Sequence, residues 1–283
     1  MKALSERAVM VRLSISFWAG RKLDRRVTAR VTDLCGAASD AGRWNKWLVP
    51  KAYREDMEAA MIHAREVFYR FTLPWDDAGT RIMPIAHFDK FSAGMRKYHD
   101  AFDKAVVEFV RAYPQVLTDA ENRMGETFDI NDYPAVETVK AKYAFNVDIH
   151  PVPDSRDFRI DIDKDRLSEL GQRIDSQVQE RVAAATKDLW IRLHECLSKI
   201  VDRLSGGKKI FRNSLIGNLR ELVAILPALN LAGDKGLAEM VTRLNDGLAK
   251  FDPEVLRNSD KHRGAASDEA KKVLAKMAGY VGK

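Results

Sequence analysis

The stretch ISFWAGRKLDRRVTAR (residues 15–30) sets Trp18 ahead of five cations, Arg21, Lys22, Arg25, Arg26 and Arg30, against a single acid, Asp24. A second stretch, GRWNKWLVPKAYRED (residues 42–56), interleaves Trp44 and Trp47 with Arg43, Lys46, Lys51 and Arg54. Cations spaced along a surface follow phosphates, and flat rings stack on bases, each stacked base contributing ~1–3 kcal/mol. Together with Arg12, these residues form a candidate nucleic-acid-binding surface. A second reading packs the three indoles beneath helices, with the Arg side chains reaching past them to solvent. Residue types alone leave both open.

Charge is unevenly placed. The net +6 of the chain divides into +8 over residues 1–54, −6 over 55–254 and +4 over the last 29 residues. Ends of one sign raise the local potential well above that of isolated residues and favour a polyanionic partner.

Enzymatic chemistry has little to work with. SGGKK (205–209) has the glycines and lysines of a phosphate loop without its spacing, and reads as a helix cap and hinge. DIDKDR (161–166) opens like a calcium loop, but Arg166 and Gln172 stand where Gly and Glu are needed. His63, His87, His99, His150, His194 and His262 show no paired metal-ligand spacing. His194, Glu195 and Cys196 are consecutive, and on a helix consecutive side chains diverge by ~100°, so they cannot converge on one substrate atom. The expectation is a non-enzymatic protein without cofactor or metal.

The elements that must position the basic residues follow from periodicity. Val9, Val11, Leu13, Ile15 and Phe17 alternate, which predicts a strand over 9–18. Leu23, Val27, Val31 and Leu34 then take helical spacing. Apolar stripes predict helices over about 53–72, closed by Pro74, and over 84–113, opened by Pro84 and ended by Pro114; the latter carries a heptad seam. A polar connector (118–132) and a short helix near 134–143 follow. Residues 145–149 and 158–162 alternate around a turn and predict a hairpin. From Asp163 to Ser205 one helix of roughly 40 residues, about 60 Å long, is expected. Helices near 211–226, 235–251 and 267–281 complete the chain.

The expected architecture is mainly α with some β. Two long antiparallel helices pack in coiled-coil fashion, with a small antiparallel sheet of about three strands and a C-terminal helical module. The expected domains are 1–205 and 206–283. Cys35 and Cys196 form no disulfide framework, and no segment has signal-peptide or membrane-spanning character, so a cytoplasmic setting without membrane contact is expected. The heptad seam would also serve a homo-oligomer.

The opening LSISFWAGRK and the later FRNSLIGNLRELVAILPALNLAGDKGL resemble the start and the most recognisable block of the family catalogued as domain of unknown function 3150. The order of elements between them is similar too. That resemblance implies a gene of phages or integrative elements in a bacterial host. It further implies proximity to a MoxR-type AAA+ ATPase, a von Willebrand A-type protein and replication or recombination genes, with no established activity. Arg220, Glu221 and Asn230 are polar members of the block, candidates for partner contact or for capping within the helices. Two readings result: a nucleic-acid-binding protein, of DNA more than RNA and with single-stranded DNA among the candidate forms, or an adaptor or substrate of the ATPase system without DNA contact. The first accounts for where the charge lies.

Overall fold

Strand β1 (Ala8–Ser16) forms where alternation predicts it. The computed structural model describes residues 3–154, 164–205 and 212–281. After β1 come β2 (Arg21–Leu23), α1 (Arg25–Leu34), β3 (Asn45–Trp47) and α2 (Glu55–Phe71). Next are β4 (Leu73–Pro74), β5 (Arg81–Pro84), α3 (Phe88–Met124), α4 (Val136–Lys140) and β6 (Ala144–Pro151). Among the described residues there follow α5 (Lys164–Leu204), α6 (Ser214–Leu229), α7 (Lys235–Asp246), α8 (Pro253–Asn258) and α9 (Asp260–Val281). The chain is mainly α, with one four-stranded sheet of order β4-β5-β1-β6 and a two-stranded ribbon, β2-β3.

Its compact units are discontinuous in sequence. One comprises Met1–Arg12, Tyr69–Asp89 and Ile149–Lys283, the other Leu13–Phe68 and Lys90–Asp148. The expected boundary at 205/206 falls inside the first, because the helices beyond it share one core with α5. Ala185, Leu189, Leu193, Leu197, Ile200 and Leu204 of α5 are buried with Ile216, Leu219, Val223 and Leu226 of α6 and with Ala266, Ala270, Val273 and Met277 of α9. Helix α9 runs antiparallel to α5, since Ser205 meets Ser267 near one end and Trp190 stacks on Tyr280 near the other.

In the second unit, α3 has its antiparallel companion in α2. Phe68 meets Phe91, the Val67 side chain approaches Gly94, and His63 stacks on Tyr98. Each long helix therefore finds a shorter partner inside its own unit. Helix length had suggested that α3 and α5 accompany each other.

Prolines explain other differences. Helix α3 continues through Pro114 instead of stopping there. The ring forfeits the bond to the Val110 carbonyl, while Tyr113, Val116 and Ala120 stay on the buried stripe and the Tyr113 hydroxyl donates to the Pro134 carbonyl at 2.9 Å. Helix α6 likewise carries Pro227 inside it. Pro74 and Pro84 end the strands β4 and β5, where a missing N–H costs least. These two strands form a hairpin that pairs through β5 with β1, Ala8 opposite Pro84 and Val11 opposite Arg81. Of the hairpin expected after residue 144, β6 is present; the strand expected over 158–162 lies outside the described residues, as do Asp161 and Asp163 of DIDKDR and most of SGGKK.

Candidate nucleic-acid interface

Of the basic and aromatic residues, Arg21, Lys22, Lys46 and Trp47 meet on the β2-β3 ribbon of the second unit. Gly20 turns the chain into β2 with φ +60°; its carbonyl accepts the Leu48 N–H at 2.7 Å, and a Cβ there would lie 2.8 Å from Val49 Cγ2. Only glycine fits that approach. The ribbon pairs Arg21 with Trp47, Lys22 with Lys46 and Leu23 with Asn45. Successive strand residues point to opposite faces, so Arg21 and Trp47 share one face and Lys22 and Lys46 the other.

The lysine face is ion-paired. The Lys46 ammonium is ion-paired with Asp132, lies 3.6 Å from Asp24 and donates to the Thr127 carbonyl at 2.7 Å. Lys22 reaches the same Asp132 carboxylate at 2.5 Å. Burial opposes ionisation of Asp132, and the ammoniums of Lys22 and Lys46 outweigh it, so the carboxyl titrates below its usual range. Burial also opposes the Lys46 charge, yet the two carboxylates hold its pKa above the ordinary value. The Val27 N–H, which caps α1 by donating to Asp24 at 2.9 Å, lowers the Asp24 pKa with help from Lys46. Lys22, Lys46, Asp24 and Asp132 thus form a charge-balanced cluster. It borders an open hollow of about 680 Å³ also lined by Arg25 and Arg26.

The tryptophan face is open. Trp47 is 41% exposed although two guanidiniums lie over its ring, Arg54 at 3.9 Å and Arg21 at 4.8 Å from the centroid. Arg54 is buried and fixed, its Nη1 on Glu58 at 2.5 Å and its Nε donating to the Val49 carbonyl at 3.3 Å. Arg123 donates to the Trp47 carbonyl at 2.7 Å and anchors the strand end. Trp44 is 37% exposed, and its backbone is stitched to the first turn of α1 through Thr28 Oγ1 and the Asp24 N–H.

Several expected contacts prove to be structural. Lys46 and Arg54 are themselves buried and are spent inside the unit, Lys46 on Asp132 and Asp24, Arg54 on Glu58 and the Val49 carbonyl. Trp18 lies beyond the end of β1 and packs on Phe109 and Tyr113, at 6.4 and 6.1 Å between centroids. Arg26 donates to the Glu126 carbonyl, and Arg30 stands 3.9 Å from the Glu126 carboxylate with both side chains in solvent. Arg12 is exposed on β1 among residues of the first unit. Arg21, Arg25, Arg43 and Lys51 remain exposed, with no carboxylate in ion-pair range among the described residues.

The candidate partner residues Arg220, Glu221 and Asn230 are engaged within the first unit. Arg220 donates to the Ala249 and Phe251 carbonyls at 2.7 and 3.0 Å. The Asn230 amide donates to the Asp234 carbonyl, and its oxygen accepts the Asp234 N–H, both at 2.8 Å. Glu221 pairs with Arg70 at 3.2 Å on the surface. Burial pushes the Cys196 thiol up to about 11, which keeps it protonated near neutral pH. Among the described residues no group of three or more His, Cys, Asp or Glu could hold a metal ion, and no helix is long and apolar enough to cross a membrane.

Asp132, Thr127 and Arg123 escaped the sequence reading. They lie in and beside the segment read as a polar connector, where the acids Glu126, Asp129 and Asp132 were the only signal. No family model, curated protein or solved structure matches the chain.

Proposed function

We propose that this chain is a non-enzymatic nucleic-acid-binding protein of a phage or mobile element, acting on DNA in replication or recombination. The observation that carries the reading is the fate of the N-terminal charge. Once the balanced cluster around Asp132 is set aside, Arg21, Arg25, Arg43 and Lys51 still face solvent, Arg21 against the half-exposed Trp47 and Arg43 next in sequence to the half-exposed Trp44. Exposed cations without acidic partners keep their charge available for phosphate, and each phosphate neutralised releases counterions. The resemblance of the opening and of the NLRELVAILPALNL block to a family of mobile-element proteins supports the biological setting.

Salt dependence tests this. Fluorescence anisotropy with labelled DNA should give log K falling linearly with log salt, with a slope near −3 if about four cations engage a single strand. Neutralising Arg25 and Arg43 together should flatten the slope by about 1.4. A slope near zero, or one that ignores these substitutions, rejects the reading.

A further inference from the structure

The tryptophan face of the ribbon has a feature that charge alone does not require: its two guanidiniums are held differently. Arg54 is buried, bonded to Glu58 and to the Val49 carbonyl, and is held beside the Trp47 ring by those partners. Arg21 is exposed, opposite Trp47 in the ribbon register, with no carboxylate partner among the described residues. Its guanidinium lies over the indole, at 4.8 Å from the centroid. A cation resting on an exposed aromatic face is weakly held and exchanges readily. The ring underneath is positioned from three sides: by Arg54, by the ladder to β2, and by Arg123 on its own carbonyl.

From this we infer that the β2-β3 ribbon takes a single-stranded polynucleotide, one unstacked base lying on the Trp47 indole where Arg21 now rests, with Arg21 moving off the ring to a phosphate. The inference rests on the nucleic-acid reading above and adds to it the class of strand and the exchange at one ring. A duplex cannot satisfy the site, because its bases present only their edges and no π-face to an indole. Trp44, half-exposed three residues earlier and tied to α1, offers a second ring on the same segment.

The test uses the full chain with three probes of equal length: a labelled oligothymidylate, a DNA duplex and an oligouridylate. The oligothymidylate should bind at least about tenfold more tightly than the duplex and quench tryptophan emission. Trp47→Ala should weaken oligothymidylate binding about 5- to 150-fold, the fold-change equivalent of one lost stack, and leave duplex binding unchanged. Arg21→Ala should reduce the salt slope for the single strand by about 0.7 while the quench persists. Photocrosslinking of the parent protein to an iodouridine-substituted strand, mapped by mass spectrometry, needs no variant and should mark the 43–54 peptide. Equal affinity for single strand and duplex, with no effect of Trp47→Ala and no crosslink in that peptide, overturns the inference and leaves nucleic-acid binding standing. Absence of binding to every probe at low salt overturns both. Tighter binding of oligouridylate than oligothymidylate keeps the stacking site and assigns it to RNA.

Discussion

Lys46 and Asp132 form an ion pair in which neither side chain is more than 6% exposed, although 86 positions separate them. The pair joins β3 to the turn that follows α3, and Lys22 and Asp24 complete a cluster with two charges of each sign. A buried pair of this kind stabilises little relative to a well-packed apolar one, yet loss of one member strands a charge in the interior. That asymmetry explains why this lysine, which looked like a phosphate contact, belongs to the scaffold.

Removing one partner should therefore be costly and removing both should not. Lys46→Met is expected to lower stability by about 3–5 kcal/mol, read from the urea midpoint at constant slope. Lys46→Met combined with Asp132→Leu should recover most of that loss. A Lys46→Met protein that unfolds at the parent midpoint but binds DNA more weakly would return Lys46 to the interface.

Acid should weaken the same joint. Asp132 and Asp24 have folded pKa values below the ordinary 3.8. Their stabilisation is therefore fully present above about 3.8 and is lost as pH falls through the lower folded values. Lys46 has a folded pKa above 10.5, so its share is fully present below that pH and fades as pH rises through the folded value. Urea midpoints against pH should show a plateau between these limits, as far as this cluster contributes. Asp132→Asn should flatten the acid limb, and an unchanged limb in that variant would dissociate the cluster from acid stability.

Gly94 offers a test of packing between α2 and α3. In an open helix Gly→Ala is stabilising by roughly 0.5–1 kcal/mol, but a Cβ at Gly94 would lie 2.8 Å from Val67 Cγ1. Gly94→Ala should instead destabilise by about 1–3 kcal/mol through overpacking. Pairing it with Val67→Ala relieves the clash and should restore stability beyond that of Val67→Ala alone. Thermal unfolding of the four proteins completes the cycle; simple additivity would show that the helices shift freely.

Long elements with a clean period were legible in the sequence, and short ones were not. Alternation over residues 9–17 gave β1, and the stripes through Met57–Phe68 and Phe88–Phe109 gave α2 and most of α3. Strands β2 and β3 have three residues each, too few to display a period, and β4 and β5 are bracketed by the two prolines that suggested helix ends. At the site, the exposed Arg25, Arg43 and Lys51 could be read from charge without apolar periodicity. Lys46 and Arg54 could not, because what buries them is Asp132, brought from 86 positions away, in one case and Glu58 with a strand-end carbonyl in the other. Trp18 went astray for a related reason: its ring partners, Phe109 and Tyr113, sit on a helix whose facing direction no local pattern reveals.

The chain passes between its two units four times, near residues 12, 68, 89 and 148, and this interleaving governs the order in which the protein can be completed on the ribosome. The unit carrying the ribbon is whole once residue 148 has emerged. The other includes residues ahead of the ribbon and cannot close until α9 has been made, 133 residues later. At 5–20 residues per second that interval is roughly 7–27 s. During it, Ala8, Leu73 and Ile82 wait for the helices that will cover them, so a nascent chain stalled between α5 and α9 presents bare apolar surface of the kind chaperones recognise.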